Sequence, residues 1–322
     1  MTLLLREGDI RRSVTAGASV DAIADALATA NRTGGIARAR STAMTDGGWL
    51  RTTSGSLPEL DLLGFKAFHL VPGVGARYLT ALYRLSTGEP LALLDGNHLT
   101  VARTSAAAAA AARQYFGERP ITVGVIGSGA QARDGLLALA AACRVAAVRV
   151  YSRSRDRRQQ FAAEHREVLA IAVCAVASAR EATADADMVL CATQTPGTVA
   201  LGDEDVAAPD FISSISSTLP AQRELDARVI VRAARLVIDT PDALHESGDL
   251  LAAAELGMEG VPIVELGTYL CDSGAPRVPT TVYKSIGSVE QDLAIAHLAL
   301  TVATRLGLGE RVEPIEGLKT LP

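Results

Sequence analysis

A glycine-rich turn at residues 127–132 is the clearest place where residue type and spacing indicate chemistry. The segment reads GSGAQA; a buried strand is predicted before it, from Ile121, and a helix after it. Gly127 permits a tight turn, and Gly129 lets the backbone approach a pyrophosphate, whose charge the helix N-terminus stabilises. A lone GxGxxA pattern is weak evidence, but this strand–turn–helix context favours a dinucleotide site, with Ser128 between the glycines, over a plain turn.

The end of the second predicted strand, at residues 152–154, faces the position of the adenosine ribose. An acidic residue there would bind the ribose hydroxyls of NAD and repel a 2′-phosphate. This chain instead has Ser152, Arg153 and Ser154, which offer donors, and an arginine can bind a phosphate through two hydrogen bonds. The pattern favours NADP(H) as cofactor, with NAD(H) possible. The alternative is a solvated surface arginine.

Two basic residues stand in apolar or small-residue surroundings. Arg103 lies near the start of an alanine-rich predicted helix, where burial without an anionic partner would be costly. The alternative is an arginine that reaches solvent. Lys66, in the predicted strand GFKAFHL, either points to the solvated face or is desolvated in a site with a shifted pKa. Spacing alone leaves both alternatives open for Lys66.

Composition and charge exclude several classes of protein. The 322 residues are 48% hydrophobic and 21% charged, and their net charge of −5 argues against a general nucleic-acid-binding protein. The four cysteines are scattered and the five histidines form no ligand pattern, so no metal site is predicted. The sequence has no apolar run long enough to cross a membrane and no signal-peptide core. We therefore expect a cytoplasmic protein that does not bind membranes.

The order of predicted elements indicates an α/β protein with two domains. A helix from Ser19, with Ser19 as cap and Gly34–Gly35 as stop, precedes strands around 48–53, 65–70, 78–85 and 91–94. From Ile121, strands alternate with helices, which is typical of a doubly wound parallel sheet. The predicted domains are a substrate-binding and dimerisation domain at 1–117, a Rossmann-type domain at 118–283, and a segment at 284–322 that returns to the first domain.

Six stretches together resemble the ornithine cyclodeaminase/mu-crystallin family. They are GFKAF around Lys66, DGNHLTVARTSA, GSGAQA, the hydroxyl-rich strand followed by LPAQRELD, LHESGDLL and TTVYKSIGSVEQDL, and they cover nearly the whole chain. The resemblance implies an NAD(P)-dependent enzyme, a homodimer, and a Rossmann domain inserted into an α+β substrate domain. It also agrees with an NADP(H) preference, since members with Asn-Arg-Thr at positions 152–154 resemble NADP(H) users.

The resemblance also implies roles for individual residues. Arg40, Lys66 and Arg103 match the cluster that binds the substrate carboxylate and performs the chemistry, with Ser285 as a further contact of substrate or cofactor. The other implied cofactor contacts are Thr80, Arg103, Ala130, Gln131, Thr193, Ser216, Ser217 and Thr218.

The chain departs from the cyclodeaminase pattern at Thr218. Cyclodeaminases of the family carry a catalytic aspartate two residues before the proline, which is Pro220 here. A threonine cannot take a proton from the distal amine of ornithine, so Thr218 would only orient substrate or nicotinamide. A second departure is RTTSGS at 51–56, which implies a different substrate pocket. The expected activity is hydride transfer at the α-carbon of an imino or amino acid. The alternatives are a cyclodeaminase that uses NAD⁺ catalytically and a non-catalytic NADPH-binding protein.

Overall fold

The computed structural model describes residues 1–33, 38–193, 198–272 and 277–313. The chain divides into two compact units, Met1–Arg103 with Ser288–Pro322, and Thr104–Gly287. The boundary between Arg103 and Thr104 falls inside a helix, Gly96–Phe116, whereas the predicted boundary was at residue 117. The loop at 118–120, expected as a linker, joins that helix to the first strand of the second unit.

The strands, numbered along the chain, are β1 (Thr2–Leu5), β2 (Arg38–Thr45), β3 (Gly48–Leu57), β4 (Leu62–Val71), β5 (Gly75–Arg84), β6 (Pro90–Asp95), β7 (Ile121–Ile126), β8 (Val145–Tyr151), β9 (Ala172–Ala175), β10 (Met188–Cys191), β11 (Phe211–Ser214), β12 (Arg235–Ile238), β13 (Ile263–Glu265), β14 (Thr281–Lys284) and β15 (Glu310–Val312). The α-helices are α1 (Glu7–Ser13), α2 (Ala16–Thr33), α3 (Gly96–Phe116), α4 (Ala130–Ala142), α5 (Arg155–Leu169), α6 (Ala179–Thr183), α7 (Ala227–Val231), α8 (Ala243–Glu246), α9 (Gly248–Leu256), α10 (Leu266–Cys271) and α11 (Val289–Leu306).

Unit 1 is built on a seven-stranded sheet in the order β15-β1-β6-β5-β4-β3-β2. Strands β2 to β6 form an antiparallel meander, and β1 pairs parallel with β6. Helix α11 packs against α2 and against β3 and β4. Gly64 allows this close approach, because a Cβ atom there would lie 2.6 Å from the side chain of Leu293 in α11. The start of α11 is thereby brought next to β4.

The predicted start of α2 was wrong by three residues. The helix begins at Ala16, and Ser19 lies inside it, buried, with its hydroxyl donating a 2.7 Å hydrogen bond to the carbonyl of Thr15. A serine can cap a helix start, but it can also satisfy its hydroxyl on the carbonyl four residues earlier, and here the second option holds. The predicted stop at Gly34–Gly35 lies outside the described residues. Strands β1, β2, β13, β14 and β15 were not predicted from the sequence.

Unit 2 is an eight-stranded, wholly parallel sheet in the order β13-β12-β14-β11-β10-β7-β8-β9. Its central strands are buried on both faces, so they read as continuous apolar runs such as Met188–Cys191. The order β9-β8-β7-β10-β11 is that of a doubly wound nucleotide-binding sheet, whose direction of winding reverses between β7 and β10. This confirms the predicted α/β fold. Among the described residues, no helix has the length and apolar character needed to span a bilayer.

Candidate functional site

The glycine turn after β7 has the geometry that a phosphate-binding turn needs. Gly127 has φ +122°, and a Cβ atom there would lie 2.2 Å from the carbonyl oxygen of Ala192. Gly129 occupies the N-cap position of α4, and no atom of the described residues lies within 4 Å of where its Cβ would be. The backbone at Gly129 is therefore open to a ligand at the start of a 13-residue helix, where the helix dipole favours an anion.

A cavity of about 650 Å³ opens at the carboxyl ends of β7, β8 and β10. Seven of the residues predicted to contact a cofactor line it: Gly127, Ser128, Gly129, Ser152, Arg153, Ser154 and Thr193. Ala130 and Gln131 lie in the first turn of α4, and residues 216–218 follow β11; neither group belongs to the lining as far as the structure describes it. The glycines, the helix start and the arginine side chain fit a dinucleotide.

The end of β8 is organised by hydroxyl groups and arginines. Ser128 donates a 2.9 Å hydrogen bond to the hydroxyl of Ser152, and the Ser154 hydroxyl caps α5 by accepting from the backbone N–H of Arg157. Arg157 also lines the cavity. The described part of the lining contains no carboxylate. Arg157 was not predicted as a site residue, although its position three residues after a capping serine places it in the first turn of a helix.

In unit 1, one row across the sheet joins residues predicted from separate motifs. Arg40 in β2 pairs with Thr53 in β3, Thr53 pairs with Lys66 in β4, and Lys66 pairs with Thr80 in β5. Directly paired residues of antiparallel strands place their side chains on the same face. Thr53, Lys66 and Thr80 are buried, with at most 5% of their surface exposed. The register therefore brings Arg40, Lys66 and Thr80 to one face.

Lys66 and Arg103 share a carboxylate, that of Asp292, which was not predicted as a site residue. Asp292, in the first turn of α11, places Oδ2 2.6 Å from Lys66 Nζ and Oδ1 3.2 Å from Arg103 Nε. The adjacent Gln291 accepts a 3.2 Å hydrogen bond from Arg103 Nη1. Lys66, Arg103 and Asp292 are all buried, with at most 6% of their surface exposed. Lys66 and Arg103 are therefore both buried next to a carboxylate, and neither side chain reaches solvent.

The environment of Lys66 lowers the pKa of its ammonium group from 10.5 to about 8. Burial is the main cause, because removing the group from water disfavours its charged form. The negative charge of Asp292 opposes this effect, whereas the positive charges of Arg103 and Arg40 add to it. An amine with a pKa near neutrality can both hold and release a proton under physiological conditions.

Three consecutive polar residues at the start of α11 were missed as site residues. Glu290, Gln291 and Asp292 are almost completely buried, and Glu290 lies 3.6 Å from Arg38 of β2. The signal was available: VEQDLAIAHLAL places three adjacent polar side chains before a stretch that is apolar apart from His297. Acidic residues in a first helical turn are common because the helix dipole favours them, so the pattern was not distinctive.

The remaining predicted residues lie in unit 2, where most of them donate hydrogen bonds to buried carboxylates. Thr193, Ser216 and Ser217 donate backbone hydrogen bonds to Glu224. The buried Ser285 hydroxyl donates a 2.7 Å hydrogen bond to Asp239. Thr218, half-buried, donates its backbone N–H to the side-chain amide oxygen of Gln222 at 3.2 Å. Position 218 thus carries a neutral side chain, as the sequence indicated.

Residues 5–303 match the ornithine cyclodeaminase/mu-crystallin family. A Delta(1)-pyrroline-2-carboxylate reductase of Bacillus cereus is 31% identical over 266 residues, which cover 79% of this chain and 81% of the relative. The ketimine reductase mu-crystallin of Mus musculus is 31% identical over 221 residues, covering 67% of this chain and 66% of that protein. The structure of Thermococcus litoralis Delta(1)-pyrroline-2-carboxylate reductase in complex with NADH and L-proline superposes with a TM-score of 0.87 at 26% identity, covering 97% of this chain and 100% of that one.

The fold, the glycine turn and these matches define an NAD(P)-dependent oxidoreductase, the class predicted from the sequence. The chain belongs to the ornithine cyclodeaminase/mu-crystallin family.

Proposed function

We propose that the protein is an NADPH-dependent reductase of cyclic α-imino carboxylates, the class to which Delta(1)-pyrroline-2-carboxylate belongs. The observation that carries the proposal is the buried cluster of Lys66, Arg103 and Asp292 in unit 1. It combines a proton donor with a guanidinium group in a protein whose other unit has the glycine turn of a dinucleotide-binding fold. The two Delta(1)-pyrroline-2-carboxylate reductases that it resembles support the same substrate class.

Lys66 is the proton donor in this proposal. Reduction of a C=N bond adds a hydride to carbon and a proton to nitrogen; the nicotinamide, when bound, supplies the hydride. The Lys66 ammonium gives its proton to the imine nitrogen and becomes a neutral amine. Its pKa of about 8 suits this step, because a donor is most effective when its pKa lies near the working pH. Asp292 keeps the proton on Lys66 until the substrate takes it.

Arg103 binds the substrate carboxylate. Its Nε faces Asp292 and its Nη1 faces Gln291, so the guanidinium group is fixed in orientation before substrate binds. A planar guanidinium group of fixed orientation can receive a carboxylate through parallel hydrogen bonds, which also fixes the α-carbon. Arg40, in the same cross-strand row as Lys66, is the second cation proposed for the carboxylate.

Thr218 favours reduction over cyclodeamination. A cyclodeaminase must also handle the distal amine of an open-chain diamino acid, which calls for an acidic side chain. The hydroxyl of Thr218 is not a base at neutral pH and carries no charge to pair with an ammonium group. A cyclic imino acid has no distal amine, so a threonine is sufficient.

NADPH is proposed as the preferred coenzyme. Ser152, Arg153 and Arg157 line the cavity at the end of β8, and all three can donate hydrogen bonds to a 2′-phosphate. The described lining residues include no carboxylate, and this favours the phosphorylated coenzyme because none of them repels the second anionic group.

A homodimer and a cytoplasmic location complete the proposal. The face of the unit 1 sheet opposite Lys66 exposes Leu63 and Leu79, 42% and 44% exposed, on neighbouring strands, as a subunit interface would. No disulfide joins the cysteines in the part of the chain that the structure describes, which suits a reducing compartment. Sedimentation at micromolar concentration should give twice the monomer mass; a monomer would contradict the dimer.

The test is the loss of NADPH absorbance at 340 nm with Delta(1)-pyrroline-2-carboxylate and its six-membered analogue, with NADH in parallel. We expect net consumption of the reduced coenzyme that depends on the imino acid and is faster with NADPH than with NADH. Ammonia release from ornithine or lysine with catalytic NAD⁺ would instead support a cyclodeaminase. Tight NADPH binding without turnover of any imino acid would support a binding protein.

A further inference from the structure

Two carboxylates and one ammonium group are completely buried together in unit 2. Glu224, Asp249 and Lys284 each have 0% of their side chain exposed. Lys284 Nζ lies 2.9 Å from Asp249 Oδ2 and 4.0 Å from Glu224 Oε2. Burying charged groups is costly, and an apolar cluster of similar volume is often at least as stable. Stability alone therefore does not explain this cluster.

The Glu224 carboxylate binds the backbone of two separate loops. Its Oε1 accepts hydrogen bonds from the backbone N–H and the hydroxyl of Thr193, at 2.5 and 3.0 Å. Its Oε2 accepts from Ser214 Oγ at 2.8 Å and from the backbone N–H groups of Ser216 and Ser217 at 2.9 and 3.3 Å. Thr193 follows β10 and residues 216–217 follow β11. One side chain thus ties together the carboxyl ends of two neighbouring strands.

Asp249 and Lys284 hold Glu224 in place. Asp249 Oδ1 accepts hydrogen bonds from the backbone N–H groups of Glu224 and Leu225, at 2.7 and 3.1 Å. Lys284 donates to Ser214 Oγ at 2.9 Å, so the hydroxyl is fixed between the ammonium group and Glu224. At Gly248, a Cβ atom would lie 2.3 Å from the carbonyl oxygen of Gln222, so the segment that carries Glu224 is tightly packed.

The two loops lie in the second half of the nucleotide-binding sheet. In a doubly wound sheet each half takes one mononucleotide, and the glycine turn after the first strand belongs to the pyrophosphate and adenosine side. Strands β10 and β11 are on the other side of the point where the winding reverses. Their carboxyl ends correspond to the nicotinamide half of a bound dinucleotide.

We propose that Glu224 is a positioning residue for the nicotinamide: held by Asp249 and Lys284, it fixes the loops at residues 192–193 and 215–218 in the shape that receives the ring. The inference rests on the proposed function, because it assumes a nicotinamide dinucleotide as the ligand. It makes the nicotinamide half of the ligand depend on Glu224 more than the adenosine half, because the adenosine side of the cavity is lined mainly by the glycine turn and residues 152–157, with only residues 192 and 193 from these two loops.

The test compares whole and truncated ligands on the Glu224→Gln variant by calorimetry. A glutamine has one oxygen and one N–H₂ donor, so it cannot accept from both loops. We expect NADPH to bind at least roughly tenfold more weakly, because several charge-assisted hydrogen bonds are lost. The same variant should bind 2′-phospho-ADP-ribose, which lacks the nicotinamide ring, within about twofold of wild type. NADH and ADP-ribose are measured in parallel.

Asp187→Asn is the matched control. Asp187 accepts a 2.7 Å hydrogen bond from the backbone N–H of Thr122, at the amino ends of β7 and β10, so it is a carboxylate of the same unit remote from both loops. It should change neither affinity. Equal weakening of NADPH and 2′-phospho-ADP-ribose in Glu224→Gln, or no weakening of either, would overturn the inference.

Two further outcomes remain distinct. Wild-type protein that binds neither NADPH nor NADH would contradict the proposed function instead of the positioning role. If Glu224→Gln does not fold by circular dichroism, Ser214→Ala, which removes one of the donors to Glu224, decides the question with the same pair of ligands.

Discussion

Replacing Asp292 by asparagine should shift the pH dependence of catalysis. The substitution keeps the size of the side chain but removes the negative charge 2.6 Å from the Lys66 ammonium group. That charge raises the pKa of Lys66 against the effect of burial, so its loss leaves burial and the two arginines to act alone. The pKa of Lys66 should therefore fall below its value of about 8.

The size of the effect follows from the geometry. An opposite charge at this distance changes a pKa by roughly 1–3 pH units, which puts the variant between about 5 and 7. With a fall of about two units, the protonated fraction of Lys66 at pH 7 drops from ~90% to ~10%. Because the proton donor is active only when protonated, kcat/KM at pH 7 should fall roughly tenfold.

The assay is kcat/KM for imino-acid reduction from pH 5.5 to 9.5. Wild type should lose activity above about pH 8, and Asp292→Asn should lose it at least one unit lower. Asp292→Asn could also position Arg103 less well, but this would lower kcat/KM equally at all pH values. A shift of the midpoint therefore reports the pKa of Lys66 alone. Glu290→Gln is the control, because Glu290 lies in the same helical turn as Asp292 but its carboxylate is next to Arg38 of β2. This variant should leave the midpoint of the pH profile unchanged. An unchanged midpoint in Asp292→Asn would refute the role of Lys66 as proton donor.

Further substitutions test the other residues. Lys66→Ala should reduce kcat/KM at least ~100-fold if Lys66 is the acid, and a loss below about threefold would make it a bystander. Ser152→Asp combined with Arg153→Ala should lower the ratio of kcat/KM for NADPH over NADH; an unmoved ratio would count against the 2′-phosphate interpretation. Gly127→Ala should lower the thermal midpoint and NADPH affinity together, because its Cβ would meet the Ala192 carbonyl at 2.2 Å and φ is +122°; unchanged binding by calorimetry would show that the turn can adjust.

The doubly wound sheet could be predicted because its signals are local. Strands such as Met188–Cys191 are short apolar runs between helical segments, and Gly127 and Gly129 mark the turn after the first strand. The alternation of strands and helices indicates a parallel sheet with right-handed connections, although it does not give the order of the strands. The prediction therefore needed no knowledge of distant contacts.

The cluster around Lys66 could be predicted only in part. Lys66 and Arg103 are unusual in their local surroundings, so the sequence singles them out. Asp292 is about 190 residues from Arg103 along the chain, and it sits in the first turn of a helix, where an acidic residue is ordinary. Its contact with Lys66 depends on how α11 packs against β4 at Gly64, which is a tertiary contact.

The same reason explains why the Glu224 cluster was missed. Glu224, Asp249 and Lys284 lie in three different segments: a loop after β11, the first turn of α9 and the end of β14. Only the parallel pairing of β11 with β14 brings Lys284 to Ser214, and neither sequence spacing nor composition reports that pairing. The motifs LPAQRELD and LHESGDLL support the family resemblance, but the resemblance did not give their acidic residues a role.

The central claim is that the protein transfers a hydride to the α-carbon of an imino acid, and a labelled coenzyme tests it most directly. NADPH carrying deuterium at the reactive C4 position is incubated with Delta(1)-pyrroline-2-carboxylate, and the product is analysed by mass spectrometry. We expect one deuterium at the α-carbon of the cyclic amino acid. Label that stays in the coenzyme, with ammonia released in a parallel reaction of ornithine and catalytic NAD⁺, would contradict it.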